Sequence, residues 1–246
     1  MTWNLQQLRE DVRLLFGDEQ REYLSPSLNS IVDRQTYARF HFQESQRILD
    51  DVLEGRDHKS VLCDLMFGAD PSAHHEFANR RKHAEAHIVA FLQSLRSLSD
   101  ILAHAIYFAL GLNLRTTTRL PPKRVYLHRV LPMLPLDEMG SRLRELIDHE
   151  DYRYLADIVN HSKHRSVVQT PYSVNATGCD TPSHGLKFAA FVYDDHAYPA
   201  RWANPFMEAE YNRQSALITR TGERLNDLVG SRRNLADAGN SLENKI

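Results

Sequence analysis

The sequence predicts a mainly α protein: an antiparallel helical bundle of four main helices plus one or two accessory ones, with a small β-hairpin insertion before the last. Three observations carry that prediction. Apolar residues recur at helical period along most of the chain. The longest such stretch becomes apolar on every face in its second half, as a helix surrounded by other elements must be. A period of two takes over in one segment only, near residues 166–200.

In order, Leu5, Leu8, Val12 and Leu15 space out a first amphipathic helix, and Gly17 suits a left-handed C-terminal cap. Ser25 and Pro26 predict a break, after which Ile31, Tyr37, Phe40, Glu44, Ile48 and Val52 predict a second helix over 30–54, closed by Gly55. His41 and Glu44 share a face of it. Residues 56–75 predict a short helix around VLCDLMF and a loop at GADPSAHH. The central helix follows over 77–112, with Ala84, Ile88, Phe91, Leu95, Leu98, Leu102, Ala105 and Ala109 winding one apolar stripe. Asp100 and His104 lie one turn apart in its all-round apolar half, where a carboxylate and an imidazole need partners.

Leu136, Met139, Leu143, Leu146 and Ile147 predict a further helix over 136–149. In the next, Tyr152, Leu155, Val159, Ser162 and Ser166 form one face, and Arg153, Asp157, Asn160, His161 and His164 a polar ridge beside it. Leu186, Phe188, Ala190 and Val192 alternate as one side of the hairpin. Asn204 and Pro205 open the last helix as N-cap and first residue, with Met207, Tyr211, Ile218, Leu225 and Leu228 inward as far as Gly230. The reading is one domain over 1–230 and a flexible tail over 231–246.

Composition bounds the function. At 246 residues, 42% hydrophobic and 25% charged, the chain can bury a sizeable core. A formal charge of -2 gives no whole-molecule attraction to polyanions, so nucleic-acid contact has to come from a local patch. The two cysteines, Cys63 and Cys179, are far apart without a CxxC spacing, which points to free thiols in a reduced compartment. The first residues lack a secretory pattern and no apolar run is long enough to span a bilayer, so the expectation is a cytoplasmic protein without a membrane partner.

The most basic segment is residues 115–129, RTTTRLPPKRVYLHR, with Arg115, Arg119, Lys123, Arg124 and Arg129 and no acid. Arginine forks match phosphate oxygens, so such a loop can hold nucleic acid; the plainer reading is a solvated connection. His83 and His87, four apart on one helix face, have a spacing that can chelate a metal, which leaves a His-based metal-binding bundle as an alternative. The order is not HExxH, and no Glu-x-x-His pair of the di-iron kind is present.

The segment YLADIVNHSKHRS, with Asn160, Lys163, His164 and Arg165 in an Asn-x-x-Lys-His-Arg pattern, resembles divergent members of the HEPN superfamily of helical bundles. Asp100 resembles the aspartate that such proteins carry on the facing helix. The resemblance implies a metal-independent ribonuclease without a cofactor, in a toxin or defence setting and as a homodimer. His164 would then move the proton, Lys163 or Arg165 steady the phosphorane charge and Asn160 orient the group. Bare Arg-x4-6-His spacings occur at Arg144 with His149, Arg80 with His87 and Arg34 with His41, but none sits in the context of the usual signature of these nucleases, from which the chain departs. The other reading of Asn160, Lys163, His164 and Asp100 is a structural polar cluster in an inactive module that binds a protein partner.

Overall fold

The structure is a computed structural model and describes residues 3–53, 68, 70–134, 138–175 and 182–243. The short helix expected within 56–75, for the part over 56–67, and both cysteines lie outside those residues. The mainly α class holds. Among the described residues there are seven α-helices: α1 (Leu5–Phe16), α2 (Asp18–Leu53), α3 (Pro71–Ala109), α4 (Leu127–Val130), α5 (Glu138–Asp148), α6 (Glu150–His164) and α7 (Ala203–Glu243). Five short strands lie between α6 and α7: β1 (Tyr172–Val174), β2 (His184–Phe188), β3 (Phe191–Tyr193), β4 (His196–Tyr198) and β5 (Arg201–Trp202).

The chain forms two compact units. The first comprises Met1–Gln35, Ser97–Arg153 and Asn212–Ile246, the second Thr36–Arg96 and Tyr154–Tyr211.

In the first unit the core is built from Leu8 and Val12 of α1, Leu24 and Leu28 of α2, Leu98, Leu102 and Ala105 of α3, Leu143 of α5 and Leu225 and Val229 of α7, all fully buried. Each of the larger side chains contributes about 1.5–3 kcal/mol by leaving water. α1 ends where expected, the N–H of Gly17 closing on the Arg13 carbonyl at 2.8 Å. Ser25 and Pro26 do not break the chain, because α2 runs through them. Pro26 has no N–H to give to the carbonyl one turn back. The continuous apolar row of Leu24, Leu28 and Ile31 outweighs that loss, and the Ser25 hydroxyl donates to the Arg21 carbonyl at 2.7 Å.

The last helix does not stop at Gly230 either; it continues to Glu243. Beyond that glycine, Arg233 pairs at 2.5 Å with the buried carboxylate of Asp11, which also accepts from Gln7 at 2.9 Å. Arg232 donates to the Leu110 carbonyl at 3.4 Å. These two contacts give the polar end of α7 a reason to stay helical. Gly222 serves a close approach: a Cβ there would fall 2.0 Å from the Trp3 ring, whose indole N–H donates to Asn226 at 3.0 Å.

In the second unit α3 begins at Pro71, six residues before the expected start. Asp70 accepts from the backbone N–H of Ser72 at 2.9 Å and of Ala73 at 3.4 Å, so Asp70-Pro71 is an N-cap followed by a first-turn proline rather than a breaker. The β region is more than one hairpin. β1, β2 and β5 make an antiparallel three-stranded sheet in the order β1-β2-β5, and β3 pairs with β4. The Asp194-Asp195 turn between β3 and β4 has φ of 43° and 66°, the positive values that a tight hairpin turn requires.

The expected alternation holds through Leu186 and Phe188, both buried, and then slips by one residue. Phe191 turns inward and Val192 outward, at 56% exposure. The cause is the aromatic cluster around Tyr154 of α6, which takes Phe188, Phe191, Tyr198 and Phe206 as neighbours, Phe191 edge-on at 5.5 Å. Arg201 covers the rings of Tyr154 and Phe206, 4.9 Å from each. Among the described residues, no helix is long and apolar enough to cross a membrane.

Candidate nucleic-acid interface

The C-terminal end of α3 and the basic segment after it build a cavity of about 620 Å³ in the first unit. Local sequence explains its shape. α3 ends at Ala109, and Gly111 takes the left-handed conformation at φ 64°, with the Phe16 ring against it where a side chain would stand. The chain then folds back over its own helix. The Thr118 hydroxyl donates to the Leu112 carbonyl at 2.6 Å, and the buried Tyr107 hydroxyl accepts the Leu120 N–H at 2.7 Å while donating to the Thr118 carbonyl at 3.4 Å. Pro121 and Pro122 start a single tight turn, closed by the Arg124 N–H on the Pro121 carbonyl at 2.8 Å. Tyr107 is thus the post to which the loop is tied.

The cavity wall is aromatic on one side. Tyr23, half exposed, stacks on Phe108 at 5.7 Å and 18°, and its hydroxyl donates to Glu19 at 3.0 Å. Beside it Gln20 and Asn113 exchange amide hydrogen bonds at 2.7 and 2.8 Å, and Gln20 also donates to the Phe108 carbonyl at 2.6 Å. Arg119 comes from the basic segment into this wall, with its Nε donating to the Asn113 carbonyl at 3.0 Å. That bond fixes the stem of the side chain and leaves terminal guanidinium N–H groups able to meet an anion.

His104 lines the same cavity. Burial pushes its imidazole below the ordinary value, more than the Asp100 charge and a backbone hydrogen bond with Val125 hold it up. At neutral pH it is therefore an uncharged ring. The sequence placed Asp100 and His104 as neighbours in need of partners, and here the aspartate acts on the histidine.

All five cations predicted from the basic segment, Arg115, Arg119, Lys123, Arg124 and Arg129, are exposed. Arg129 donates to the Tyr126 hydroxyl at 3.1 Å. Burial, and to a smaller degree the nearby Arg115 charge, push the Arg232 guanidinium below its ordinary value.

The residues of the Asn-x-x-Lys-His-Arg pattern belong to the second unit, at the end of α6. Asn160 is half buried, and Lys163 and His164 are exposed. Arg165 is engaged: its guanidinium lies 4.7 Å from the Tyr193 ring centre, donates to the Val192 carbonyl at 3.2 Å and meets Asp194 at 3.2 Å. It holds the β3–β4 hairpin. Of the ridge beside them, Asp157 accepts from the Tyr198 hydroxyl, and the His161 ring is bonded to the Ser166 carbonyl at 2.7 Å. Tyr198 and Ser166 thereby take up two of the groups that the sequence set beside His164.

Sequence reasoning missed Gln20, Tyr23, Tyr107, Phe108 and Asn113 as parts of a site. Their one signal was the placing of Tyr107 and Phe108 outside the main apolar stripe of α3. The pairing of Gln20 with Asn113 spans 93 residues and leaves no mark on local spacing. His83, whose spacing could set it with His87 on a metal, is exposed, and the His87 ring meets His41 of α2. In comparisons with known proteins, no family model, curated protein or solved structure matches the chain.

Proposed function

We propose that the protein binds single-stranded RNA, with one nucleotide held in the cavity of the first unit and the flanking phosphates met by the basic segment. One observation carries the reading: Arg119 reaches from a loop of exposed cations into a cavity walled by stacked aromatic rings. Unpaired bases bind proteins by stacking on aromatic faces while cations meet the backbone. A volume of about 620 Å³ lies within the usual range for a small-ligand site. The Gln20 and Asn113 amide oxygens each keep a lone pair for a donor on a base edge. The -2 overall charge makes the attraction local, which suits a loop rather than a whole face.

The test is fluorescence anisotropy with a labelled single-stranded RNA decamer. Tyr23→Ala is a clean variant because the ring is half exposed, so its loss costs the fold little. Removing one stacking ring costs about 1–3 kcal/mol, which is roughly 5- to 150-fold in affinity. Arg119→Ala is expected to weaken binding on every sequence. Binding that neither substitution changes, or no binding at low salt, contradicts the proposal.

The HEPN-like kinship implies in addition a ribonuclease and a two-fold assembly. The exposure of Lys163 and His164 supports their access to a phosphodiester, whereas Arg165 is committed to the hairpin. Cleavage of RNA without added metal, abolished by His164→Ala with the melting temperature unchanged, is the outcome that reading requires. Sedimentation of the purified chain tests the dimer.

A further inference from the structure

His41 of α2 and His87 of α3 bring their Nδ1 atoms to 2.9 Å in the second unit, 46 residues apart in sequence. Two identical ring nitrogens at that distance have two stable arrangements. In one, a single proton is shared, one ring donating and the other accepting. In the other, both lone pairs turn toward one cation.

We propose that His41 and His87 form a binding site for a divalent transition-metal ion that clips α2 to α3. Imidazole nitrogens bind such ions at about 2.0–2.1 Å, so two of them on one ion stand about 2.9 Å apart at a right angle and about 3.3 Å apart at a tetrahedral one. The observed 2.9 Å meets the first value and needs a ring shift of only a few tenths of an ångström for the second. The ring centres are 5.1 Å apart at 48°, and chelation requires each ring to turn about its side-chain bonds until both nitrogens aim at a common point. Both rings are half buried, and Phe40 meets each edge-on, at 5.2 and 6.1 Å, which limits their rotamers before an ion arrives. Glu44, one turn on from His41, is electrostatically coupled to His87 and contributes negative charge in favour of a dication, although Arg47 shares it. Solvent fills the remaining coordination positions. The right-angle fit favours copper(II) or nickel(II) over zinc, which prefers the tetrahedral arrangement. The site is independent of the cavity in the first unit, so its failure leaves the RNA proposal as it stands.

The experiment uses the full chain, stripped with a chelator and titrated by calorimetry with copper(II), nickel(II) and zinc chlorides. Wild type is expected to take one ion per chain at least tenfold more tightly than His41→Gln or His87→Gln, while His83→Gln, one turn away and exposed, changes nothing. The electron paramagnetic resonance spectrum of the copper complex is expected to carry coupling to imidazole nitrogen that either glutamine variant reduces. If one variant fails to fold, the other variant and the wild-type spectrum decide. Equal affinity in wild type and both glutamine variants, loss through His83→Gln instead, or no binding at all overturns the proposal.

Discussion

Tyr107→Phe removes one oxygen atom and nothing else, and that atom ties the basic loop to α3. Tyr107 is 2% exposed, so its hydroxyl is shielded from bulk water. Two bonds go with it. One is the 3.4 Å contact to the Thr118 carbonyl, long enough to be worth little. The other is the 2.7 Å bond from the Leu120 N–H, a half-buried donor that is left without its acceptor. A typical net bond contributes about 0.5–1.5 kcal/mol, and a buried group left unsatisfied costs about 1–3 kcal/mol. Half-burial of Leu120 places the loss at the lower end of that combined range, at about 1–2 kcal/mol. Urea denaturation followed by circular dichroism reads it as a lowered midpoint with an unchanged slope. Hydrogen exchange at the Leu120 amide is expected to accelerate in the same variant, because the loop opens without global unfolding. RNA affinity is expected to fall as well, since the backbone on either side of Arg119 is no longer tied to Tyr107. A change below about 0.3 kcal/mol together with unaltered exchange at Leu120 would refute the reasoning, since losing one buried acceptor cannot be that cheap.

Arg233→Met leaves the Asp11 carboxylate buried with, among the described residues, Gln7 donating to it, so a loss of about 3 kcal/mol, the lower end for orphaning one member of a buried pair, is expected by denaturation. A second change, Asp11→Leu in that background, is expected to recover part of the loss by removing the stranded charge. Stability is expected to fall as the pH drops below about 6.5. The imidazoles of His104 and His41 are both held below their ordinary value by burial, His41 with the added repulsion of His87, so the unfolded chain takes up their protons first. Sign and window follow: the contribution is complete above about 6.5, and it is lost progressively toward the lowered folded values. Melting temperatures from pH 8 to pH 5 read this, and replacing both histidines with glutamine is expected to flatten the curve.

The helices were legible because burial repeats every turn: Leu8, Leu98, Leu143 and Leu225 are inward as their spacing demands. Their ends were less so. Pro26 read as a stop, yet a core row on either side of it carried the helix through, and Asp70-Pro71 read as a breaker although its side chain caps the helix it precedes. Tertiary packing decided both, and packing is not visible in a local window. The period-two pattern located the β region but not its phase change at Phe191, which Tyr154 sets from 37 residues away. The basic segment was found from composition alone. The cavity it closes over was not, since Phe16 and Gln20 reach it from a part of the chain far from Asn113, which is 93 residues from Gln20.

The most direct test of the RNA-binding account is the salt dependence of affinity for single-stranded RNA, in wild type and in Arg119→Ala. Each phosphate neutralised on a single strand contributes about -0.7 to the slope of log affinity against log salt. The account predicts a negative slope of several such steps in wild type and one step fewer, by about 0.7, in the variant. A flat dependence, or equal slopes in the two proteins, would contradict it.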